Sequence, residues 1–293
     1  MKRGFVRSLA LVAVALAPVL CCGQNKDVES SRKSAEQGDA RAQFELGTCF
    51  HNGQGMPKDL DAAARWYRKS AEQGNADAQC ALGSCYLSGQ GVPKGFDEAA
   101  RWYRKSAEQG NADAQCALGA RYIAGQGVPK DINEAARWLR KAAEQGQVIA
   151  QGVLGSFYQT GQGVPQDYVE SVKWYRKAAE QGLALAQCAL GAFYHNGQGV
   201  PKDFALSVKW LRKAAEQGDA LAQVSLGMCY RDGEGVAKSF SLAYKWFYIA
   251  AAGGRKESVK LRDDLLRQMS PEQIAEGQKR AAEFIAKKEA KNK

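Results

Sequence analysis

The chain has 293 residues, of which 45% are hydrophobic and 25% are charged, a composition typical of a folded globular protein. The formal charge of +10 raises the question of a nucleic-acid partner. Three of these charges lie in the first seven residues, and residues 255–293 carry 11 basic and seven acidic side chains. Because binding to phosphates needs basic residues clustered on one face, this division between the two ends argues against nucleic acid.

The N-terminal segment, residues 1–23, has the layout of a secretory signal peptide. Lys2, Arg3 and Arg7 precede an apolar run of about a dozen residues, which is shorter than the ~20 residues of a membrane-spanning helix. We therefore expect export to the periplasm or cell envelope. Cys21 and Cys22 leave open a lipid anchor or secretion, although neither cysteine follows the small residue that lipoprotein signals prefer.

A 36-residue period dominates the rest of the chain. All six tryptophans keep this interval, and so do a Gly-x-Gly turn and a closing Ala-Glu-Gln-Gly. The period predicts six repeats without insertions. Their boundaries are residues 39–74, 75–110, 111–146, 147–182, 183–218 and 219–254.

Each repeat predicts two helices, here called helix A and helix B. Asn75 is placed to N-cap a helix A, and Gly89 to end it in a left-handed conformation. Asp131 and Glu134 have the spacing of a capping box at the start of a helix B. A glycine recurs within each helix A, as at Gly83, where it costs about 1 kcal/mol relative to alanine. We therefore expect the Trp-bearing helix B to pack closely against it.

These motifs resemble the Sel1-like repeat, a relative of the tetratricopeptide repeat. The resemblance covers residues 39–254 and depends on Ala-Gln-x-x-Leu-Gly-x-x-Tyr, Gly-x-Gly-Val-Pro-Lys-Asp and Ala-x-x-Trp-Tyr-x-Lys-Ala-Ala-Glu-Gln-Gly. It implies an all-α, right-handed α-solenoid of helix-turn-helix repeats, an α/α superhelix that acts as an adaptor between proteins. The sixth repeat has Ala237 and Ser239 where the others favour proline and aspartate, which predicts a looser loop.

The ends predict caps for the repeat stack. Residues 24–38 are expected to form a linker followed by a partial N-terminal cap. In residues 255–293, Ser270 begins a capping box for a helix, and a stripe of Ile274, Gln278, Ala281 and Ile285 is expected to cover the last repeat. The basic residues near the C-terminus also allow a membrane-surface helix.

The sequence offers little catalytic chemistry. His51 and His195 occupy the same position four repeats apart, so a solenoid would separate them by tens of ångströms. Some cysteine-rich relatives bind penicillin and have been called β-lactamases. Here the one Ser-x-x-Lys motif is Ser30 to Lys33, and neither Ser-Asp-Asn nor Lys-Thr-Gly occurs. We predict no enzymatic activity, no cofactor and no metal site, and keep a penicillin-binding cell-wall protein as the alternative function.

The six cysteines of the repeats all lie on helix A and lack zinc-type spacing. The relatives' disulfide framework, which joins helix A to helix B, is therefore absent. Cys49 to Cys80 and Cys85 to Cys116 are the bridges left to consider, but stacked helices rarely bring Cα atoms within about 7 Å. We expect free thiols.

The surface predicted to bind a partner lies on helix A, opposite its constant stripe. In related solenoids helix A lines the concave side, and here the seventh and tenth residues of the repeats are mostly small. A floor of small residues lets a peptide or helix approach closely. The third residue changes from charged to apolar along the chain, which predicts a groove with a charged N-terminal half and an apolar C-terminal half. The predicted partner-binding residues are Arg41, Glu45, Asn52, Asp77, Ser84, Ser88, Asp113, Ile149, Ser156, Leu185, Asn196, Leu221 and Met228.

The sequence thus predicts an exported protein-interaction scaffold whose partner is a protein or peptide of unknown identity. It gives no indication of a nucleic-acid partner. It allows a contact with the membrane only through an N-terminal lipid anchor. A self-associating structural solenoid is a further alternative, and the oligomeric state stays open.

Overall fold

The computed structural model describes residues 31–291. The predicted signal peptide, its two cysteines and Ser30 lie outside these residues. Within them every regular element is helical and no strand occurs. The described helices form two compact units, one up to residue 165 and one from residue 166 onward, with the boundary in the loop of the fourth repeat.

From residue 31 onward, the first unit contains a helical segment at residues 31–36 and seven further helices. These are α1 (Ala40–Asn52), α2 (Leu60–Glu72), α3 (Ala76–Ser88), α4 (Phe96–Glu108), α5 (Ala112–Ala124), α6 (Ile132–Glu144) and α7 (Val148–Thr160). Odd-numbered helices are helix A and even-numbered helices are helix B of each repeat. Each helix packs on the next along this unit, so the helix pairs form a continuous stack. The all-α solenoid class is confirmed.

The second unit continues the same pattern and then departs from it. Its helices are α8 (Tyr168–Glu180), α9 (Ala184–Asn196), α10 (Phe204–Gln217), α11 (Ala220–Asp232), α12 (Phe240–Ala252), α13 (Lys256–Leu266) and α14 (Pro271–Lys291). The helices α8 to α12 pack in sequence, whereas α13 and α14 both pack on α12. Sequence analysis did not predict α13, because its residues do not keep the repeat motif.

The predicted helix ends are confirmed. The Asn75 side chain accepts a hydrogen bond from the Ala78 N–H at 2.8 Å, and Gly89 ends the helix with φ of 75°. The capping box at Asp131 is only half formed. Asp131 accepts from the Glu134 N–H, but Glu134 pairs with Arg137, because Tyr122 O already accepts from the Asp131 N–H.

The recurring glycine of helix A touches helix B as predicted, and the structure identifies the residue involved. A Cβ on Gly83 would lie 2.9 Å from Cδ1 of Tyr103, the residue after the tryptophan. The same slot of helix B holds Leu139 beside Gly119 and Phe247 beside Gly227. Packing against the ring or branched side chain therefore explains a glycine inside a helix.

Two ladders of polar contacts tie consecutive repeats together. In the first ladder, the buried Gln79 donates to Ala71 O at 3.1 Å and accepts from Gln109 Nε2 at 2.7 Å. The equivalent residues Gln43 and Gln115 form the same two hydrogen bonds in the first unit. Arg68 donates to the hydroxyl of Tyr86 in the next repeat at 2.6 Å. The same arginine–tyrosine contact joins Arg104 to Tyr122 and Arg140 to Tyr158 in the first unit, and Arg176 to Tyr194 and Arg212 to Tyr230 in the second.

The looser loop expected in the sixth repeat is not observed. Gly233 and Gly235 keep φ values of 77° and 70°, and the Ser239 N–H still bonds to Tyr230 O at 2.8 Å. Since this backbone bond closes the loop without any proline, Ala237 is tolerated. The hydrogen bond that caps α12 is weak, because the Leu242 N–H donates to Ser239 Oγ over a long distance of 3.4 Å.

The C-terminal helix α14 begins with the predicted capping box, in which Ser270 N–H donates to Gln273 Oε1 and Gln273 N–H to Ser270 Oγ. Its contact stripe departs from the predicted one at a single position, and Ile285 packs against the core as predicted. Gln278 is exposed, whereas Gly277 is buried against Tyr244, because a glycine lets the two helices approach. Ala281 is buried as predicted, and the Phe284 ring meets Trp246 at 5.3 Å between centroids.

Candidate interaction surface

The helix-A surface is defined here by the third, seventh, tenth and fourteenth residues of each repeat. The helix holds these positions on one side, because they recur at steps of three or four residues. The two units are described in turn, since each forms its own stack.

The first repeat presents an exposed ion pair. Arg41 Nε lies 3.1 Å from Glu45 Oε1, and the arginine side chain is 83% exposed. Asn52 is exposed at the far end of the same helix, where its Oδ1 lies 3.1 Å from His51 Nδ1. These three predicted residues are therefore on the surface.

Asp77 and Asp113 are also exposed, but they contact the following repeat. Asp77 Oδ1 accepts a hydrogen bond from Asn111 Nδ2 at 2.8 Å, and Asp113 Oδ1 from Gln147 Nε2 at 3.4 Å. The donors are the residues that cap the next helix A. These carboxylates thus help to hold consecutive repeats together in addition to any role toward a partner.

The predicted floor of small residues is only partly accessible. Ala81, Ala117 and Val153 at the seventh position are buried, because neighbouring helices of the stack cover them. Ser156 is 1% exposed, so its prediction as a contact residue is wrong for this structure. Ser84 is half-buried and its Oγ lies 2.9 Å from the Tyr103 hydroxyl.

The remaining predicted residues of the first unit lie nearer to solvent. Ser88 is exposed and donates to Ser84 O at 2.9 Å. Ile149 is half-buried at the start of α7. The first unit therefore offers a polar helix-A surface in which several side chains are engaged within the protein.

The second unit offers an apolar helix-A surface. Leu221 is 39% exposed and Met228 is 40% exposed, and they lie seven residues apart on α11. Leu185 is half-buried and Asn196 is exposed on α9. Apolar side chains that lie together on one exposed face can mark a site of protein interaction.

Leu183, which lies next to this surface as the first residue of its repeat, is a residue that sequence reasoning missed. It stands at the N-cap of α9, and no side chain caps that helix. The equivalent Asp219 of the next repeat accepts from the Ala222 N–H at 2.7 Å. Losing such a cap costs about 1 kcal/mol. A leucine at a position where the other repeats have Asp, Asn or Gln is the signal that could have found it.

The histidines and cysteines have local roles. His51 Nε2 lies 3.4 Å from Gln90 Oε1, and His195 Nε2 lies 2.9 Å from Glu234 Oε2, so each ring contacts the loop of the following repeat. All six repeat cysteines are buried thiols, as expected, and burial raises the pKa of Cys80 and of Cys116 to about 12. Such thiols are poor nucleophiles.

Within residues 31–291 no group of three or more His, Cys, Asp and Glu side chains is arranged to hold a metal ion. No helix of the described chain combines the length and the apolar character that crossing a bilayer requires.

Repeated helix pairs with a constant core and variable outer positions define an α-solenoid repeat protein. Six consecutive segments match the family model of the Sel1 repeat, at residues 40–75, 76–111, 112–147, 148–183, 184–219 and 220–254. The chain therefore belongs to the Sel1 repeat family.

Several solved structures are similar over most of the chain, and two of them are described here. The first is c5321, a protective antigen present in uropathogenic Escherichia coli strains that displays an SLR fold. It is 38% identical with a TM-score of 0.77, and the match covers 87% of this chain and 56% of that one. The second is a Sel1 repeat protein from Oxalobacter formigenes, 33% identical with a TM-score of 0.66, covering 77% of this chain and 94% of that one. This chain thus spans just over half the length of c5321. No curated protein matches it.

Proposed function

We propose that this protein is an exported interaction scaffold that binds a polypeptide segment on the helix-A surface of its second unit. Sel1 repeat proteins are typically protein-interaction scaffolds. The basic and apolar N-terminal segment supports export to the periplasm or cell envelope. Because the chain matches only part of c5321, its partner has to be found by experiment.

The observation that carries this proposal is the pair Leu221 and Met228. Seven residues correspond to two helical turns, so the two side chains share one face about 10 Å apart along the axis. Two further leucines lie on the preceding helix A, α9. They are the half-buried Leu185 and Leu183, which stands at the N-cap. A row of apolar side chains on adjacent helices fits the apolar face of a bound peptide or helix.

The test changes both side chains to carboxylates. We expect Leu221→Asp combined with Met228→Asp to reduce capture of an envelope partner at least tenfold, because each carboxylate would have to lose its water against an apolar ligand. Both residues are exposed, so the unfolding midpoint should stay close to that of the wild type. Capture is measured by quantitative pull-down from an envelope extract, with circular dichroism as the check on folding.

The matched control is Val169→Asp. Val169 is 51% exposed in the same unit but lies on α8, a helix B, so this variant should capture the partner normally. Equal capture by all three proteins would contradict the proposed surface. Turnover of nitrocefin or labelling by penicillin would instead support the cell-wall alternative, and a mass that rises with concentration in light scattering would support self-association.

A further inference from the structure

An open cleft of about 380 Å³ lies beside α10 in the second unit, where this helix B meets the loop of the sixth repeat. Its uncharged lining is Ala205, Val208, Gly235 and Val236, and its charged lining is Lys209, Arg212, Lys213 and Glu216. All four charged residues are exposed, so a ligand in solvent can reach them. This region, called the α10 cleft here, therefore presents three cations and one carboxylate.

The surplus of positive charge comes from one change in the repeat. In the second, third and fourth repeats, the basic residue equivalent to Lys209 pairs with a glutamate three residues before it. These pairs are Glu98 with Arg101, Glu134 with Arg137 and Glu170 with Lys173. In the fifth repeat Leu206 replaces the glutamate. Among the described residues, no carboxylate lies within ion-pair distance of Lys209.

The next helix B, α12, brings a further cation toward the cleft. In the sixth repeat Leu242 again replaces the glutamate, so Lys245 also lacks this partner. Burial lowers the pKa of Lys245, and the nearby Arg212 acts in the same direction, whereas Glu216 opposes it. The ammonium of Lys245 therefore lies within electrostatic range of the α10 cleft.

Two of the cations are positioned by neutral groups. Arg212 Nη2 donates to the Tyr230 hydroxyl at 2.7 Å, and Lys213 Nζ lies 4.5 Å from the centre of the Trp210 ring. A guanidinium has five N–H donors, so Arg212 can still bind an anion. Because these contacts restrict the side chains without neutralising them, less conformational entropy is lost when a ligand binds.

The lining of the cleft favours a carboxylate-bearing peptide over a phosphate polymer. Glu216 would repel a run of closely spaced phosphates, but it can accept hydrogen bonds from the backbone N–H groups of a peptide. The uncharged lining offers room for an apolar side chain, which a peptide supplies and a phosphate chain lacks.

We propose that the α10 cleft binds an acidic segment of a polypeptide, with carboxylates on both sides of an apolar residue. The proposal goes beyond the proposed function, because it assigns a ligand to the helix-B side of the second unit and does not require capture by the helix-A surface.

The direct test titrates the full chain against the peptide acetyl-Ala-Glu-Leu-Glu-Ala-amide carrying an uncharged dye, with fluorescence anisotropy as the readout. The comparison peptide has glutamine in place of both glutamates. We expect the glutamate peptide to bind at low ionic strength and to bind less tightly as sodium chloride is added, because salt screens exposed charges. The glutamine peptide should bind at least about tenfold more weakly, since it has no carboxylate to pair with the cations.

A double variant locates the site. Lys209→Gln combined with Lys213→Gln should weaken binding of the glutamate peptide about fivefold or more, because each exposed charge pair contributes modestly. Lys173→Gln combined with Lys177→Gln is the matched control. It removes the same charges from the equivalent positions of α8, where Glu170 already pairs with Lys173, and should leave the affinity within about twofold of the wild type.

Restoring the missing glutamate gives an independent test. Leu206→Glu introduces the residue that three other repeats hold at this position, so the variant should fold, with circular dichroism as the check. Its carboxylate should pair with Lys209 and weaken binding of the glutamate peptide about threefold.

Four results would overturn the proposal. They are equal binding of the two peptides, an equal loss in the α8 control, unchanged binding by Leu206→Glu, and tighter binding of polyphosphate or phosphatidylglycerol vesicles through the same two lysines. The last result would assign the cleft to phosphate groups. Leu221→Asp combined with Met228→Asp should bind the glutamate peptide like the wild type, so failure of either proposal leaves the other standing.

Discussion

Gly83 shows how a single residue sets the distance between the two helices of a repeat. The Tyr103 ring that faces it is 1% exposed, and its hydroxyl is fixed by Ser84. The ring therefore has little freedom to move away from an added methyl group. The close helix–helix contact that glycine allows here is worth more than the helix propensity that alanine would add.

The first prediction is that Gly83→Ala destabilises the protein. The new Cβ would lie 2.9 Å from Tyr103 Cδ1, and overpacking of this kind costs about 1–3 kcal/mol. Alanine regains about 1 kcal/mol of helix propensity, so we expect a net loss of about 1–2 kcal/mol in urea unfolding followed by tryptophan fluorescence. Gly253→Ala is the control, because its nearest neighbours lie 3.5 Å away and its φ of −75° suits alanine. An unchanged midpoint for Gly83→Ala would show that the helices separate freely.

The buried thiols make the free energy of unfolding depend on pH in the alkaline range. Burial raises the pKa of Cys85 to about 11 and those of Cys80 and Cys116 to about 12, from an ordinary value of 9.0. Above pH 9 the unfolded chain loses these protons while the folded chain keeps them. The stabilisation is thus fully present below pH 9 and is lost as pH rises toward 12.

We therefore expect the free energy of unfolding to fall by about 1.4 kcal/mol per pH unit for each such thiol between pH 9 and 11. The double variant Cys80→Val and Cys116→Val should show a slope shallower by about twice that amount. Valine is suitable because Val224 occupies the same position in the sixth repeat. Urea midpoints measured from pH 7 to 11 provide the test, and parallel slopes for the two proteins would refute it.

At the scale of helices, the arginine–tyrosine ladder between repeats stops where the repeat stack stops. Arg212 bonds to Tyr230 in the next repeat, but the corresponding position after that is Tyr248, which is 37% exposed and stacks on Tyr244. At the other end, Phe50 takes the place of the tyrosine. The arginine–tyrosine ladder thus begins at Arg68 of the first repeat and ends at Tyr230 of the last.

The helix α14 substitutes for the missing repeat by covering α12. Phe284 lies against Trp246, and Lys245 Nζ sits 4.4 Å from the Trp246 ring and 4.7 Å from the Phe284 ring. Gln273 O accepts from Ser241 Oγ at 3.0 Å. Aromatic packing, a cation between two rings and a backbone bond together fix this helix.

We predict that truncation after Met269 uncovers Tyr244 and Trp246 and lowers the free energy of unfolding by at least about 2 kcal/mol, the value for exposing one large apolar side chain. The truncated chain should also increase the fluorescence of a hydrophobic dye. A chain ending at Ala286 is the control, since Lys287 and Lys288 are exposed and the aromatic contact remains. Equal stability of the two truncations would mean that α14 contributes nothing to the core.

At the scale of the whole molecule, chemical character varies while the core is constant. Arg41, Asp77 and Asp113 make the helix-A surface of the first unit polar, and Leu221 and Met228 make that of the second apolar. A solenoid permits this because each repeat contacts only its neighbours, so outer residues change without disturbing the stack.

The sequence alone determined the repeats, the helix pairs, most helix caps and the fold class. These follow from local chemistry that recurs every 36 residues, such as the cap at Asn75 and the left-handed turn at Gly89. It also predicted which side of helix A varies, since variable positions stand out against a strict period.

Only the tertiary structure decided which of the variable residues are accessible. Ser156 and Leu221 occupy comparable outer positions, yet one is buried and the other is 39% exposed. The structure likewise located the buried guanidinium of Arg121, which donates to Gln126, and the helix α13. Burial and pairing depend on what packs against a side chain from other helices, and a sequence period does not contain that information.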